Sequence, residues 1–121
     1  MITETRVRKE EPDITVVEIS GRLNLGNTLV TIESAIRKLI DEGSRKLVVD
    51  LADVSYIDSS GIGMLVSCSG HMEHAGGRLR IAGAKGVVEK AFRIVHMDRI
   101  TGLDADAGTA CASLRAGSAA V

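Results

Sequence analysis

At 121 residues and 12.8 kDa the chain has room for one domain, spanning 1–121, and none for a second. Hydrophobic residues make up 45% of it but aromatics only 2%, and with Tyr56 and Phe92 as the only rings there is no platform on which nucleic-acid bases would stack. A net charge of −1 also removes the broad basic field that nonspecific nucleic-acid binding requires.

The first residues, MITETRVRKEE, are charged from the outset and form no signal-peptide core. No apolar run approaches the roughly 20 residues of a membrane span. A cytoplasmic protein without membrane insertion is therefore expected. After the turn signal Glu11-Pro12-Asp13, the run Ile14, Val16, Val17 and Ile19 predicts the second strand of an N-terminal hairpin, which Gly21 would end. From Asn27 or Thr28 the apolar positions Leu29, Ile32, Ile36, Leu39 and Ile40 follow helical spacing up to Glu42-Gly43. Lys46 to Leu51 (KLVVDL) is short and Val/Leu-rich, as a central strand of a parallel sheet covered on both faces would be. A loop then leads to Ser59 or Ser60, either of which would cap a second helix that stops at Gly76-Gly77.

Arg78 to Ala82 alternates as a strand, and Val87, Val88, Ala91, Phe92 and Val95 mark a third helix. A short extended piece near Ile100 to Leu103 precedes a last weak helix from about Asp106 to Leu114, with a frayed tail from about 116. Strands alternating with helices at this length define a small α/β layer. Cys68 and Cys111 lie far apart at apolar helical positions and read as free buried thiols.

The chemistry concentrates in Asp58-Ser59-Ser60-Gly61, where a strand, a loop and the start of a helix meet. The first N–H groups of a helix lack intrahelical partners and sit at the positive end of its dipole, a place that favours an anion. One hydroxyl caps the helix and the other is left at its first turn, where a phosphate would be received or added. Gly61 and Gly63 remove side-chain bulk, which suits a docking surface, although each costs up to ~1 kcal/mol in a helix interior. A phosphate of charge about −1.5 to −2 is tolerated by the helix end but not by a partner that must desolvate it. A penalty of only about 3 kcal/mol changes affinity by roughly a hundredfold. Physical reasoning leaves Ser59 and Ser60 open as acceptors.

The chain resembles the STAS domain family, which includes bacterial anti-sigma factor antagonists and the cytoplasmic domains of sulphate transporters. The resemblance spans nearly all of it and rests on Val16 to Leu23 (VVEISGRL), Lys46 to Leu51, Val54 to Gly63 (VSYIDSSGIG), Gly76 to Ile81 and Val87 to Phe92. It implies an α/β fold, a four- to five-stranded mixed sheet with about four helices packed on one side. It also implies phosphorylation at the serine directly after the aspartate, here Ser59. In the antagonist branch the unphosphorylated protein binds an anti-sigma factor serine kinase and frees the sigma factor. That kinase phosphorylates the serine, and a metal-dependent, PPM-type serine phosphatase reverses the modification.

By the same resemblance the partner-binding surface comprises Asp58, Ser60, Gly61, Ile62, Gly63 and, in the loop after Gly21, Asn24. The family often has Asp where this chain has Asn24, which still donates and accepts hydrogen bonds. Other members of the family are scaffold subunits of stress-sensing complexes or parts of lipid-transport machines that lack the switch. The retained Ser59 argues against the last of these.

Rival chemistries have weaker support. A hydrolase nucleophile would want Gly-x-Ser-x-Gly, but position 57 is Ile. Of the candidate bases, His71 and His74 lie roughly 18 to 22 Å along the helix from its start, which leaves only His96 for folding to bring near. Cys68, His71 and His74 recur at three-residue steps that spread them around a helix, so no metal site is expected. Gly83-Ala84-Lys85-Gly86 lacks the length and ending of a P-loop and reads as a plain strand-to-helix turn, with no cofactor.

Overall fold

Hydrophobic alternation and helical spacing translate directly into elements in the computed structural model, which describes residues 3–117. In chain order these are β1 (Glu4–Glu10), β2 (Ile14–Leu23), α1 (Asn27–Asp41), β3 (Lys46–Ile57), α2 (Ser59–His74), β4 (Arg78–Ala82), α3 (Gly86–Ile94), β5 (Gly102–Asp104) and α4 (Ala107–Gly117), with a single 3-10 turn at Met97–Arg99. The five strands lie side by side in sequence order. β1 and β2 form the antiparallel hairpin, and β2 through β5 run parallel, so the sheet is mixed.

Successive strand residues point to opposite faces, and each face has its own core. On one face Val17, Ile19, Leu47, Val49, Leu51 and Ile81 meet Ile32, Ile36 and Ile40 of α1, Met64, Leu65, Cys68 and Met72 of α2, and Val88 and Phe92 of α3. On the other, Ile14, Val16, Val48 and Ala82 meet Ala110, Cys111 and Leu114 of α4. Three helices therefore share one side as expected, but the fourth does not. The buried strand residues that face away from α1, α2 and α3 require a second lid, and α4 supplies it.

β3 is also longer than the KLVVDL run. Its pairing with β2 continues through Gly21↔Val54 and Leu23↔Ile57, past register shifts between Glu18 and Ser20 and between Gly21 and Arg22. Each irregularity breaks the period-2 pattern, which is why the extension is hidden in the sequence. Gly21, with φ of 103°, sits inside β2 at such an irregularity and does not end the strand. Both cysteines are free and buried, and burial pushes the Cys68 thiol up to about 12. Of the tail expected to fray from about 116, Ala116 and Gly117 belong to α4, and 118–121 lie outside the described residues. Among the described residues no helix is long and apolar enough to cross a membrane.

Candidate functional site

Parallel pairing of β2 and β3 brings their carboxyl ends together at Leu23↔Ile57, so the loop leaving β2 (24–26) lies beside the residue that precedes α2. That residue is Asp58. Its backbone N–H donates to the Leu23 carbonyl (3.1 Å), and its carboxylate accepts from the Gly61 N–H through Oδ1 (2.9 Å) and from the Leu25 N–H through Oδ2 (3.0 Å). Asp58 is the N-cap of α2, in place of the serine expected there. A carboxylate at this position satisfies an orphan helix N–H and complements the dipole, which a neutral hydroxyl does less well.

The consequence for the serines is direct. Both belong to the helix, and neither hydroxyl is needed as the cap. Ser59 is exposed and Ser60 half-buried.

Burial alone would raise the Asp58 pKa, but the backbone N–H groups of Leu25, Gly61, Ser60 and Asp58 itself outweigh it and hold the carboxyl below its ordinary value of 3.8. A folded-state pKa below the unfolded one means that Asp58 stabilises the fold at neutral pH and that this contribution fades as pH falls through the folded value. Asp58→Ala is accordingly expected to cost about 1–2 kcal/mol at pH 7. Urea titrations at pH 7 and at pH 3 should show the difference between variant and parent shrinking below about pH 4.

The two glycines of the first turn differ. A Cβ on Gly61 would meet the Leu23 carbonyl oxygen at 2.5 Å and Ile57 Cγ1 at 2.7 Å, whereas one on Gly63 meets nothing within 4 Å. The missing side chain of Gly61 thus makes room for the end of β2. Gly63 is exposed. Thermal melts should separate them: Gly61→Ala destabilises by about 2 kcal/mol through overpacking, and Gly63→Ala stabilises by up to ~1 kcal/mol through helix propensity.

The remaining expected residues lie at this end of the sheet, with Asn24 exposed in the loop and Ile62 half-buried against the core. Two residues that the sequence did not single out belong here as well. Leu25 is 77% exposed beside Asn24, and Val30, in the first turns of α1, is 64% exposed. Their only sequence signal is position: Leu25 is a lone apolar residue in a polar loop, and Val30 lies off the Leu29, Ile32, Ile36 stripe.

Of the residues of the rival chemistries, His71 is engaged away from this site. His71 Nε2 lies 2.8 Å from Asp41 Oδ1 and its Nδ1 lies 3.3 Å from Arg37 Nη1, on the seam between α1 and α2. Since the guanidinium can only donate, Nδ1 accepts and Nε2–H donates to Asp41. His96 follows α3 with φ of 54°. Gly83 packs against the Ala52 backbone and its N–H donates to the Asp104 carbonyl at 3.0 Å, so this segment is a turn between β4 and α3.

A mixed sheet with an Asp-capped helix presenting an exposed serine at the carboxyl ends of its strands defines a class of small α/β domain. The STAS domain family model matches residues 5–110, and the chain belongs to that family. Among curated relatives, the anti-sigma-B factor antagonist of Staphylococcus aureus is 28% identical over 81 residues, covering 67% of this chain and 74% of that protein. Two solved structures share the fold. An anti-sigma factor antagonist from Mycobacterium paratuberculosis superposes with a TM-score of 0.83 at 20% identity, covering 94% of this chain and 95% of that one. The Bacillus cell fate determinant SpoIIAA in its phosphorylated form does so with a TM-score of 0.70 at 19% identity, covering 89% of this chain and 96% of that one.

Proposed function

We propose that this chain is an anti-sigma factor antagonist, a cytoplasmic protein that acts by binding and performs no catalysis of its own. Unphosphorylated, it binds an anti-sigma factor serine kinase through Asn24, Leu25, Val30, Gly63 and the exposed edges of Asp58, Ser60 and Ile62, and so frees the sigma factor. The kinase inactivates it by phosphorylating Ser59, and a PPM-type serine phosphatase restores it. One observation carries the choice of acceptor: Asp58 takes the cap, so Ser59 offers an exposed hydroxyl at the first helical turn, and Ser60 is half-buried. The curated relatives described as anti-sigma factor antagonists support the pathway.

The site is suited to a switch because the docking face is partly apolar while the modification adds a dianion to it. Intact and peptide mass spectrometry after incubation with ATP and the anti-sigma factor kinase from the same genome tests this. One phosphate on Ser59, absent in Ser59→Ala, is the expected result. No modification by any such kinase would transfer the chain to the scaffold members of the family.

A further inference from the structure

We propose that Asp58 is a latch that the Ser59 phosphate opens: its carboxylate fixes the loop carrying Leu25, and phosphorylation of the next residue releases that loop from the docking face. This rests on the reading that Ser59 is the modified residue.

Asp58 bridges two elements 33 residues apart in sequence, with one carboxylate oxygen on the Leu25 N–H and the other on the Gly61 N–H. The strand ends beneath do not depend on that carboxylate. They are joined by backbone and by other contacts: the Asp58 N–H on the Leu23 carbonyl, the Ser55 hydroxyl on the Gly21 carbonyl at 3.2 Å, and the close approach of Gly61 to Leu23. Residues 24–26, by contrast, are all exposed, and the Asp58 carboxylate supplies the side-chain hydrogen bond that holds them. What this bond orders is an apolar side chain standing 77% in solvent. Keeping such a side chain in one place lowers the entropy that a partner must remove on docking.

A phosphate on Ser59 places a second anion one residue from the carboxylate and beside the same first-turn N–H groups that Asp58 caps. Two anions then share one set of donors. The Ser60 and Gly61 N–H groups, at the positive end of α2, compensate either anion. The Leu25 N–H lies outside the helix and is bonded by Asp58. Displacing the carboxylate therefore breaks the Leu25 bond without unfolding α2 or the strand ends. The switch then has two parts, a charge on the docking face and the loss of an ordered Leu25.

The test uses the whole chain, nitrogen-15 labelled, with serine or genetically encoded phosphoserine at position 59, and reads solvent exchange of individual amides by NMR at pH 7 without any kinase. Phosphoserine is expected to speed exchange of the Leu25 amide at least tenfold and to leave the ladder amides of β2 and β3 within twofold. Asp58→Asn keeps a good N-cap but has one carbonyl oxygen for two donors. It should speed Leu25 exchange before phosphorylation and reduce the further effect of phosphoserine to less than twofold. Leu25 exchange that does not respond to phosphoserine, or that responds equally in the Asp58→Asn protein, overturns the latch. Because phosphoserine is installed directly and no partner is present, failure of a kinase to modify Ser59 would strike the proposed function and leave this measurement standing. Loss of kinase binding with an unmoved Leu25 would do the reverse.

Discussion

Aspartate in place of Ser59 should weaken binding to the anti-sigma factor kinase by roughly a hundredfold, equivalent to about 3 kcal/mol, as read by titration calorimetry. Ser59 is exposed and directly follows Asp58, whose carboxylate holds the Leu25 N–H, so a partner covering that face must strip water from whatever stands at position 59. A hydroxyl loses little in that exchange because it can keep a hydrogen bond. A carboxylate without a matching cation loses far more. The folded state responds oppositely. An added carboxylate in the first turn of α2 meets the positive end of the helix dipole and is worth about 0.3–1 kcal/mol before repulsion from Asp58 is subtracted. Ser59→Asp should therefore melt within a few degrees of the parent while binding collapses, which separates a blocked interface from a damaged fold. Ser59→Ala, which removes neither a cap nor a core contact, should bind within a few-fold of the parent. Equal binding by Ser59→Asp and the parent would remove the switch.

The largest stability effect is expected far from that face, at Asp104. Its carboxylate receives Arg80 Nε at 2.6 Å and Nη2 at 3.4 Å, and the Ser113 hydroxyl donates to it at 3.4 Å. The paired side chains are only 20% and 7% exposed. The guanidinium lies over Gly102, so close that a Cβ there would sit 2.4 Å from it. One ion pair, with the Ser113 hydroxyl, thus joins β4, the three-residue strand β5 and α4, the helix that covers the second face of the sheet.

Asp104→Ala leaves a largely buried guanidinium without its anion and should cost about 3–5 kcal/mol. That is a large share of the 5–15 kcal/mol that holds a domain of this size together, and it should lower Tm by roughly 12–20 °C. The pairing, more than either residue alone, is what the fold requires. Arg80→Met combined with Asp104→Leu removes both charges and should recover most of the loss. A single variant that melts with the parent would show that the pair is dispensable.

How far each feature was legible depended on the range of the interaction behind it. The stripe Leu29, Ile32, Ile36 and Ile40 is a local periodicity, and α1 begins at Asn27 as that spacing predicts. KLVVDL announced a strand buried on both faces, but the register shifts opposite Ser20 and Arg22 scrambled the alternation that would have carried β3 on to Ile57. The segment Asp58-Ser59-Ser60 contains three residues with good capping chemistry in succession, and local rules cannot rank them. The choice fell to Asp58 because its second oxygen finds the Leu25 N–H, a donor that β2 delivers from 33 residues away.

Gly61 is the same lesson in reverse. Its missing side chain looked like room for a partner, and the room is filled by Leu23 of the protein's own β2. The order of elements, the lengths of those other than β3 to within a few residues, the family and the motif at the strand end were determined by the sequence itself, because hydrophobic period, turn chemistry and capping residues act over a few neighbours. Which residue caps α2, which glycine faces inward, where Leu25 stands and which side of the sheet α4 covers were decided only by tertiary structure. Each depends on atoms that the parallel crossover brings together from distant parts of the chain.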